Sequence, residues 1–311
     1  MFATRRLPGT ALERLAAAHE LEVWPERLPP PAHELAARAT GADALLTLLT
    51  DPVDSTLIES APRLRAISNY AVGVDNVDLH AATAREIPVG NTPDVLTGST
   101  ADLALALMLG AGRHLVEGDA VVRRGDWRTW EPDLLLGRDL HGATVGIVGF
   151  GRIGRAVARR LDGFGCTVLH TSRSGGTPLG ELLERSDFVT LHCPLTPQTR
   201  GLIGAEALAR MRPSAYLVNT ARGPIVDTGA LERALHDGAI AGAALDVTDP
   251  EPLPGDHPLL SAPNLLVLPH IASATHATRE LMADMAVDNL LAALAGERMP
   301  HCANPEVYER A

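Results

Sequence analysis

The amino-acid sequence predicts an α/β fold of two doubly wound domains, and three observations carry that reading. Short apolar runs of strand length alternate with helical stretches through two successive series. Most of the runs are near-continuously apolar, as strands buried on both faces of a parallel sheet must be. The chain has 311 residues, of which 46% are hydrophobic and 21% charged, enough for two separate cores.

The first series starts with a strand at 2–4, a helix at 10–18, a strand at 21–24 and a helix at 32–39, followed by strands at 44–48 and 66–69. The turn signal Asn91-Thr92-Pro93-Asp94 then precedes the run 99–113, which is apolar on most faces and reads as a buried connecting helix. A domain boundary is placed between 97 and 98. The second series has strands at 143–148, 167–171, 188–192, 215–218, 243–246 and 265–268, with helices between them. A helix at 274–295 and a short Pro-containing tail end the chain. Because the N-terminal half lacks a closing element of its own, this tail is expected to fold back onto it. The expected domains are therefore 1–97 with 280–311, and 98–279.

A formal net charge of −11 and a sequence pI near 5.5 argue against nucleic acid or an anionic membrane as the main partner. All 27 basic residues are arginine, which excludes Schiff-base, pyridoxal-phosphate and P-loop lysine chemistry. Anions must be bound by arginine forks, backbone amides and helix N-termini. Cys166, Cys193 and Cys302 lie far apart without a CxxC pair, and no apolar run is long enough to span a bilayer. The expectation is a reduced, cytoplasmic protein with no metal site and no membrane span.

Gly149-Phe150-Gly151-Arg152-Ile153-Gly154 follows the strand Thr144-Val145-Gly146-Ile147-Val148 and opens a helical run. In that setting the glycines allow a tight turn, a close approach of backbone to a pyrophosphate, and close helix–strand packing. The second series is thus a Rossmann-type sheet, and its mid-chain position favours a nicotinamide over a flavin. The next strand ends in Thr171-Ser172-Arg173-Ser174, where an NAD-selective site would carry a carboxylate. An arginine flanked by hydroxyls suits a 2′-phosphate, so NADP(H) is the expected cofactor, with NAD(H) the alternative.

Three further segments carry polar residues at strand ends: Asn219-Thr220-Ala221-Arg222-Gly223-Pro224, Leu245-Asp246-Val247-Thr248-Asp249-Pro250-Glu251-Pro252 and Leu268-Pro269-His270-Ile271-Ala272-Ser273-Ala274-Thr275. Ligands of open α/β sheets bind outside the carboxyl ends of the strands, so Arg222, Glu251 and His270 can converge. Hydride arriving at a 2-oxo carbon builds negative charge on the carbonyl oxygen, which calls for a proton donor and a cation. His270 is the natural acid, Glu251 beside it favours the protonated imidazole, and Arg222 can polarise the carbonyl and hold a carboxylate. His192 reads as a strand end without a chemical role.

At these motifs, and at Asn69-Tyr70-Ala71-Val72-Gly73-Val74-Asp75-Asn76-Val77-Asp78, the chain resembles the D-isomer-specific 2-hydroxyacid dehydrogenases, most of all the glyoxylate/hydroxypyruvate reductases. The resemblance covers nearly the whole chain. It implies a Rossmann-like nucleotide-binding domain inserted into a discontinuous, flavodoxin-like substrate domain, a site between them, and a homodimer. It implies reduction of glyoxylate or hydroxypyruvate to glycolate or D-glycerate, with Arg222, Glu251 and His270 as the reacting groups. The substrate set is Val72, Gly73, Arg222 and Trp130, the last because Gly125-Asp126-Trp127-Arg128-Thr129-Trp130 is similar to the family's dimerisation region. The cofactor set is Gly149, Gly151, Arg152, Ile153, Gly154, Ser172, Arg173, Ser174, Cys193, Pro194, Thr199, Thr220, Ala221, Arg222, Asp246, His270 and Ala272. The alternatives are another member of the superfamily, acting on 2-ketogluconate or phosphite, and a non-enzymatic cofactor sensor on the same scaffold. One departure stands out: Arg173-Ser174-Gly175-Gly176-Thr177-Pro178 runs almost directly into the next helix, where relatives usually carry a longer segment.

Overall fold

A computed structural model describes residues 1–309, and the chain divides into two compact units, Met1–Leu96 with the chain from Ser273 onward, and Thr97–Ala272. The first unit opens with β1 (Phe2–Ala3), α1 (Ala11–Ala18), β2 (Glu22–Val23), α2 (Ala32–Gly41) and β3 (Ala44–Thr47). It continues with α3 (Ser55–Ser60), β4 (Ala66–Asn69), α4 (Leu79–Ala84) and β5 (Val89–Gly90). All five strands are parallel, in the order β2-β1-β3-β4-β5. That is the flavodoxin-like order. Leu45, Leu46 and Ile67 are buried in it, as the continuous apolar runs require. The short helices α3 and α4, absent from the sequence reading, are nucleated by Asp54 and Asp78, whose carboxylates accept from Leu57 N and Ala81 N.

The second unit begins with α5 (Thr97–Gly112) and α6 (Leu115–Arg123), and the exposed stretch 124–139 leads into the sheet. There follow β6 (Thr144–Val148), α7 (Arg152–Leu161), β7 (Thr167–Ser172), β8 (Gly175–Gly176), α8 (Leu179–Arg185) and β9 (Phe188–Leu191). Then come α9 (Ala205–Arg210), β10 (Tyr216–Asn219), α10 (Thr228–His236), β11 (Gly242–Leu245) and β12 (Leu265–Val267). The strand order is β12-β11-β10-β9-β6-β7-β8, with β8 the antiparallel edge. The order reverses between β6 and β9, which is where such sheets bind a nucleotide. One apolar core on a face of the sheet is built with α5 and α7, the other with α8, α9 and α10.

The sequence reading has six strands here; β8 is the seventh. Gly175 and Gly176 stand at φ +118° and +120°, and a Cβ on Gly176 would lie 2.3 Å from the His170 carbonyl, so only glycine closes this hairpin.

The last helix, α11 (His276–Leu294), returns to the first unit, where it packs on α1, β3, β4 and β5. Gly90 leaves room for Asn289, whose amide donates to Asn91 O and whose oxygen accepts from His301 N. Fully buried Asn304 accepts from Val89 N and donates to Thr83 Oγ1 and Ile87 O. The sequence reading puts the second boundary between 279 and 280. The division falls instead between 272 and 273, because Thr275 caps α11 through Thr278 N and the helix enters the first unit whole.

Candidate active site

The turn after β6 has the three properties a dinucleotide needs from its glycines. Gly149 has φ +98°, and a Cβ there would lie 2.4 Å from Cys193 N, so the turn presses on the loop after β9. A Cβ on Gly151 would meet nothing within 4 Å, which leaves its backbone open to a ligand. A Cβ on Gly154 would lie 2.2 Å from Gly149 O, so α7 seats directly on the turn. With Gly151 as N-cap, α7 presents its N-terminus, the positive end of its dipole, at the turn where a phosphate would sit. These residues fit the pyrophosphate of a dinucleotide.

Around this turn the other cofactor candidates form short loops. Ser172 and Ser174 hydroxyls lie 2.9 Å apart at the tip of the β7–β8 hairpin, and Arg173 between them is exposed and pairs with no carboxylate among the described residues. Thr199 closes the 194–199 turn, donating to Pro194 O and accepting from Thr196 N. Burial pushes the Cys193 thiol up, consistent with packing rather than reactivity. His192 bridges Thr190 Oγ1 at 2.9 Å and Thr220 Oγ1 at 3.3 Å, and burial lowers its pKa to about 3, so the imidazole is neutral. It ties the cofactor loop to the loop bearing Arg222, a link invisible in sequence.

The loops after β10 and β11 are locked together. Asn219, fully buried, donates to Arg222 O at 2.9 Å and accepts from Ala221 N at 3.0 Å, which fixes the loop of Arg222. A Cβ on Gly223 would lie 1.9 Å from Thr248 O, so this loop touches the Glu251 loop backbone to backbone. Arg222 Nη1 donates to Ala221 O at 2.8 Å.

Glu251 and His270 meet directly: Nδ1 lies 2.6 Å from Oε1, with side chains 23% and 32% exposed for His270 and Glu251 respectively. The other carboxylate oxygen accepts from Thr248 N at 3.3 Å. Burial pushes the Glu251 carboxyl up, but the hydrogen bond and charge of His270, the Thr248 amide and the charge of Arg222 outweigh it and hold it below its ordinary 4.5. Nδ1 being taken, Nε2 is the ring atom left for a substrate.

His270 itself sits at φ +56°, in the left-handed region. Asp246, 1% exposed, holds it there: its carbonyl accepts from His270 N, and its two carboxylate oxygens accept from Ile271 N at 2.7 Å and Ala272 N at 2.8 Å. Asp246, counted among the cofactor residues from sequence, is thus also the post on which the His270 loop is hung. The sequence signal for Asn219, Thr248 and Gly223 is only their place inside the motifs.

Val72 and Gly73 belong to the other unit, after β4. Asn91 donates to Val72 O at 2.9 Å and Asn69 to Gly73 O at 3.0 Å, while the Val72 and Gly73 amides have no acceptor among the described residues. Fixed carbonyls and free amides are the features an anion cradle requires. Trp130 is 77% exposed, on the stretch between α6 and β6. No cluster of three or more His, Cys, Asp or Glu suited to a metal occurs among the described residues, and no helix among them is long and apolar enough to cross a membrane.

The family description "D-isomer specific 2-hydroxyacid dehydrogenase, NAD binding domain" matches residues 105–272. A glyoxylate reductase of Korarchaeum cryptofilum is 48% identical over 99% of this chain and 97% of its own, and one of Pyrococcus furiosus is 46% identical over 99% and 96%. The TT0316 protein from Thermus thermophilus superposes with a TM-score of 0.90 at 50% identity, covering 97% of this chain and 99% of its own. An NADPH-dependent glyoxylate/hydroxypyruvate reductase from Sinorhizobium meliloti, solved with NADP and malonate, superposes at 0.87 and 35% identity, over 98% and 96%. The chain belongs to the D-isomer specific 2-hydroxyacid dehydrogenases, a family of NAD(P)-dependent oxidoreductases.

Proposed function

We propose that this chain reduces glyoxylate or hydroxypyruvate to glycolate or D-glycerate, with NADPH as the preferred reductant. The observation that carries the reading is the 2.6 Å pair of Glu251 and His270 in the same unit as a glycine turn that fits a dinucleotide. The nicotinamide, when bound, supplies hydride to the 2-oxo carbon. His270 holds the proton on Nε2 and delivers it to the nascent alkoxide, and Glu251 orients the ring through Nδ1. Arg222 offsets the charge growing on the carbonyl oxygen. In the first unit, the Val72 and Gly73 amides are the proposed donors to the substrate carboxylate. In the oxidative direction His270 is the base.

The preference for NADPH rests on Arg173 between two hydroxyls at the end of β7, with no carboxylate in the place where NAD selection needs one. The relative from Sinorhizobium meliloti, which is NADPH-dependent, supports it. Rates with NADPH and NADH against glyoxylate, hydroxypyruvate, pyruvate and 2-ketogluconate test both halves of the reading. Turnover of the first two with NADPH is expected. Cofactor binding without reduction of any of the four would overturn the activity, and a better kcat/KM with NADH would overturn the preference.

We also propose a cytoplasmic homodimer. Leu115, Val116, Val122, Trp127, Trp130, Leu134, Leu135 and Leu136 are eight of the twelve exposed large hydrophobics among the described residues, all within one stretch of the second unit. A patch of that kind on a protein surface marks an interface. Trp130, the most exposed of them, is proposed to reach the substrate of the neighbouring subunit, a role its exposure leaves it available for.

A further inference from the structure

Arg279, in the first turns of α11, has no part in the proposed chemistry. Its Nε is buried and has no hydrogen-bond partner, and its guanidinium pairs with no carboxylate among the described residues. An unpaired buried N–H of a charged group is costly and calls for an acceptor. The helix context deepens the anomaly. A cation near a helix N-terminus faces the positive end of the dipole, so the local field there attracts anions twice over.

Arg279 is also fastened to one loop. Its guanidinium carbon lies 6.0 Å from the centre of the Tyr70 ring, and the Tyr70 hydroxyl donates to Arg279 O at 2.7 Å. Tyr70 is 3% exposed and immediately follows β4, at the carboxyl end of its sheet. Two residues on are Val72 and Gly73, whose amides lack acceptors while their carbonyls are held by Asn91 and Asn69. Thr92, next to Asn91, donates its amide to Ala71 O and keeps a buried, unpartnered hydroxyl. The loop is therefore rigid, donor-rich and backed by an arginine without a counter-ion.

We propose that Arg279 is a substrate-affinity residue: its charge, held against Tyr70 behind the Tyr70–Val74 loop, supplies the positive field that draws the carboxylate of a 2-oxo acid onto the Val72 and Gly73 amides. Arg279 has no part in hydride or proton transfer. The inference rests on the proposed activity, and its loss shows in KM rather than kcat.

The test is Arg279→Gln beside Arg279→Lys, assayed with glyoxylate and NADPH, together with NADPH affinity by fluorescence titration and thermal melting. Arg279→Gln is expected to raise KM for glyoxylate about tenfold with kcat and NADPH affinity within about twofold, and Arg279→Lys, which restores the charge, to recover most of that loss. An unchanged KM in Arg279→Gln overturns the inference. So does an equal rise in both variants, because a role in packing against Tyr70 alone predicts that pattern. If the unmodified protein fails to reduce glyoxylate, it is the proposed activity that falls; if it reduces glyoxylate and the variants do not part as described, only the role of Arg279 falls.

Discussion

A histidine with left-handed backbone dihedrals is uncommon, and His270 is kept in that state by one buried acid. Asp246 spends both carboxylate oxygens and its carbonyl on the three consecutive amides of His270, Ile271 and Ala272. Sparsely populated backbone conformations persist where the surroundings over-determine them. Asp246→Asn replaces one acceptor by a donor facing an N–H, and is expected to lower kcat at least tenfold and to cost about 1–3 kcal/mol of stability. Steady-state kinetics and a melting curve check both. His270→Gln removes the proton donor itself; kcat should fall about 10²–10⁴-fold while NADPH binding, read by titration, is retained. The pH response follows from Glu251. Its carboxyl is held below 4.5 in the folded protein, so its contribution to stability is complete above that value and is lost as pH falls through the lower, folded pKa. The advantage that the native protein holds over Glu251→Gln in melting temperature should accordingly be full at neutral pH and shrink only below pH 4.5.

Gly223→Ala would put a methyl group 1.9 Å from the Thr248 carbonyl, forcing the Arg222 loop off the Glu251 loop. A displacement of about an ångström at reacting groups costs on the order of 100-fold in rate, and that loss in kcat is the expected result. At the other end of the chain, Asn304→Ala strands the Val89 amide and the Ile87 carbonyl, at about 1–3 kcal/mol for each group left unsatisfied, and should lower the melting temperature by several degrees. The strands of both sheets are legible in the sequence because burial on both faces writes them as uninterrupted apolar runs such as Ala44-Leu45-Leu46 and Val145-Gly146-Ile147-Val148. The three polar loops are legible because they follow such runs. What the sequence does not disclose are links closed only in space: His192 between Thr190 and Thr220, or Asn219 beneath Arg222. The β7–β8 hairpin escapes it too, since two glycines give no side-chain pattern to read.

At the scale of the whole molecule, a chain without lysine has arginine as its only permanently charged side-chain donor to anionic ligands. The stretch from α6 to β6 is tied down at its far end. Arg138 donates to Asp187 Oδ1 at 2.7 Å, joined there by Arg212, and the Arg138 amide donates to Gly112 O. Burial pushes the Asp187 carboxyl up, but the Thr144 amide and the two arginines bring it net below its ordinary 3.8. Between those anchors the apolar side chains face outward, and Leu136→Glu with Trp127→Glu should convert the proposed dimer to a monomer in sedimentation experiments. Trp127 and Trp130 are also two of the three tryptophans in the chain; the third, Trp24, donates its indole N–H to Leu28 O in the other unit. The protein thus carries its own optical gauge. Two of its three indoles stand on one exposed arm, so a blue shift of the emission as protein concentration rises is the expected sign that the arm packs against a second subunit, without any dye attached.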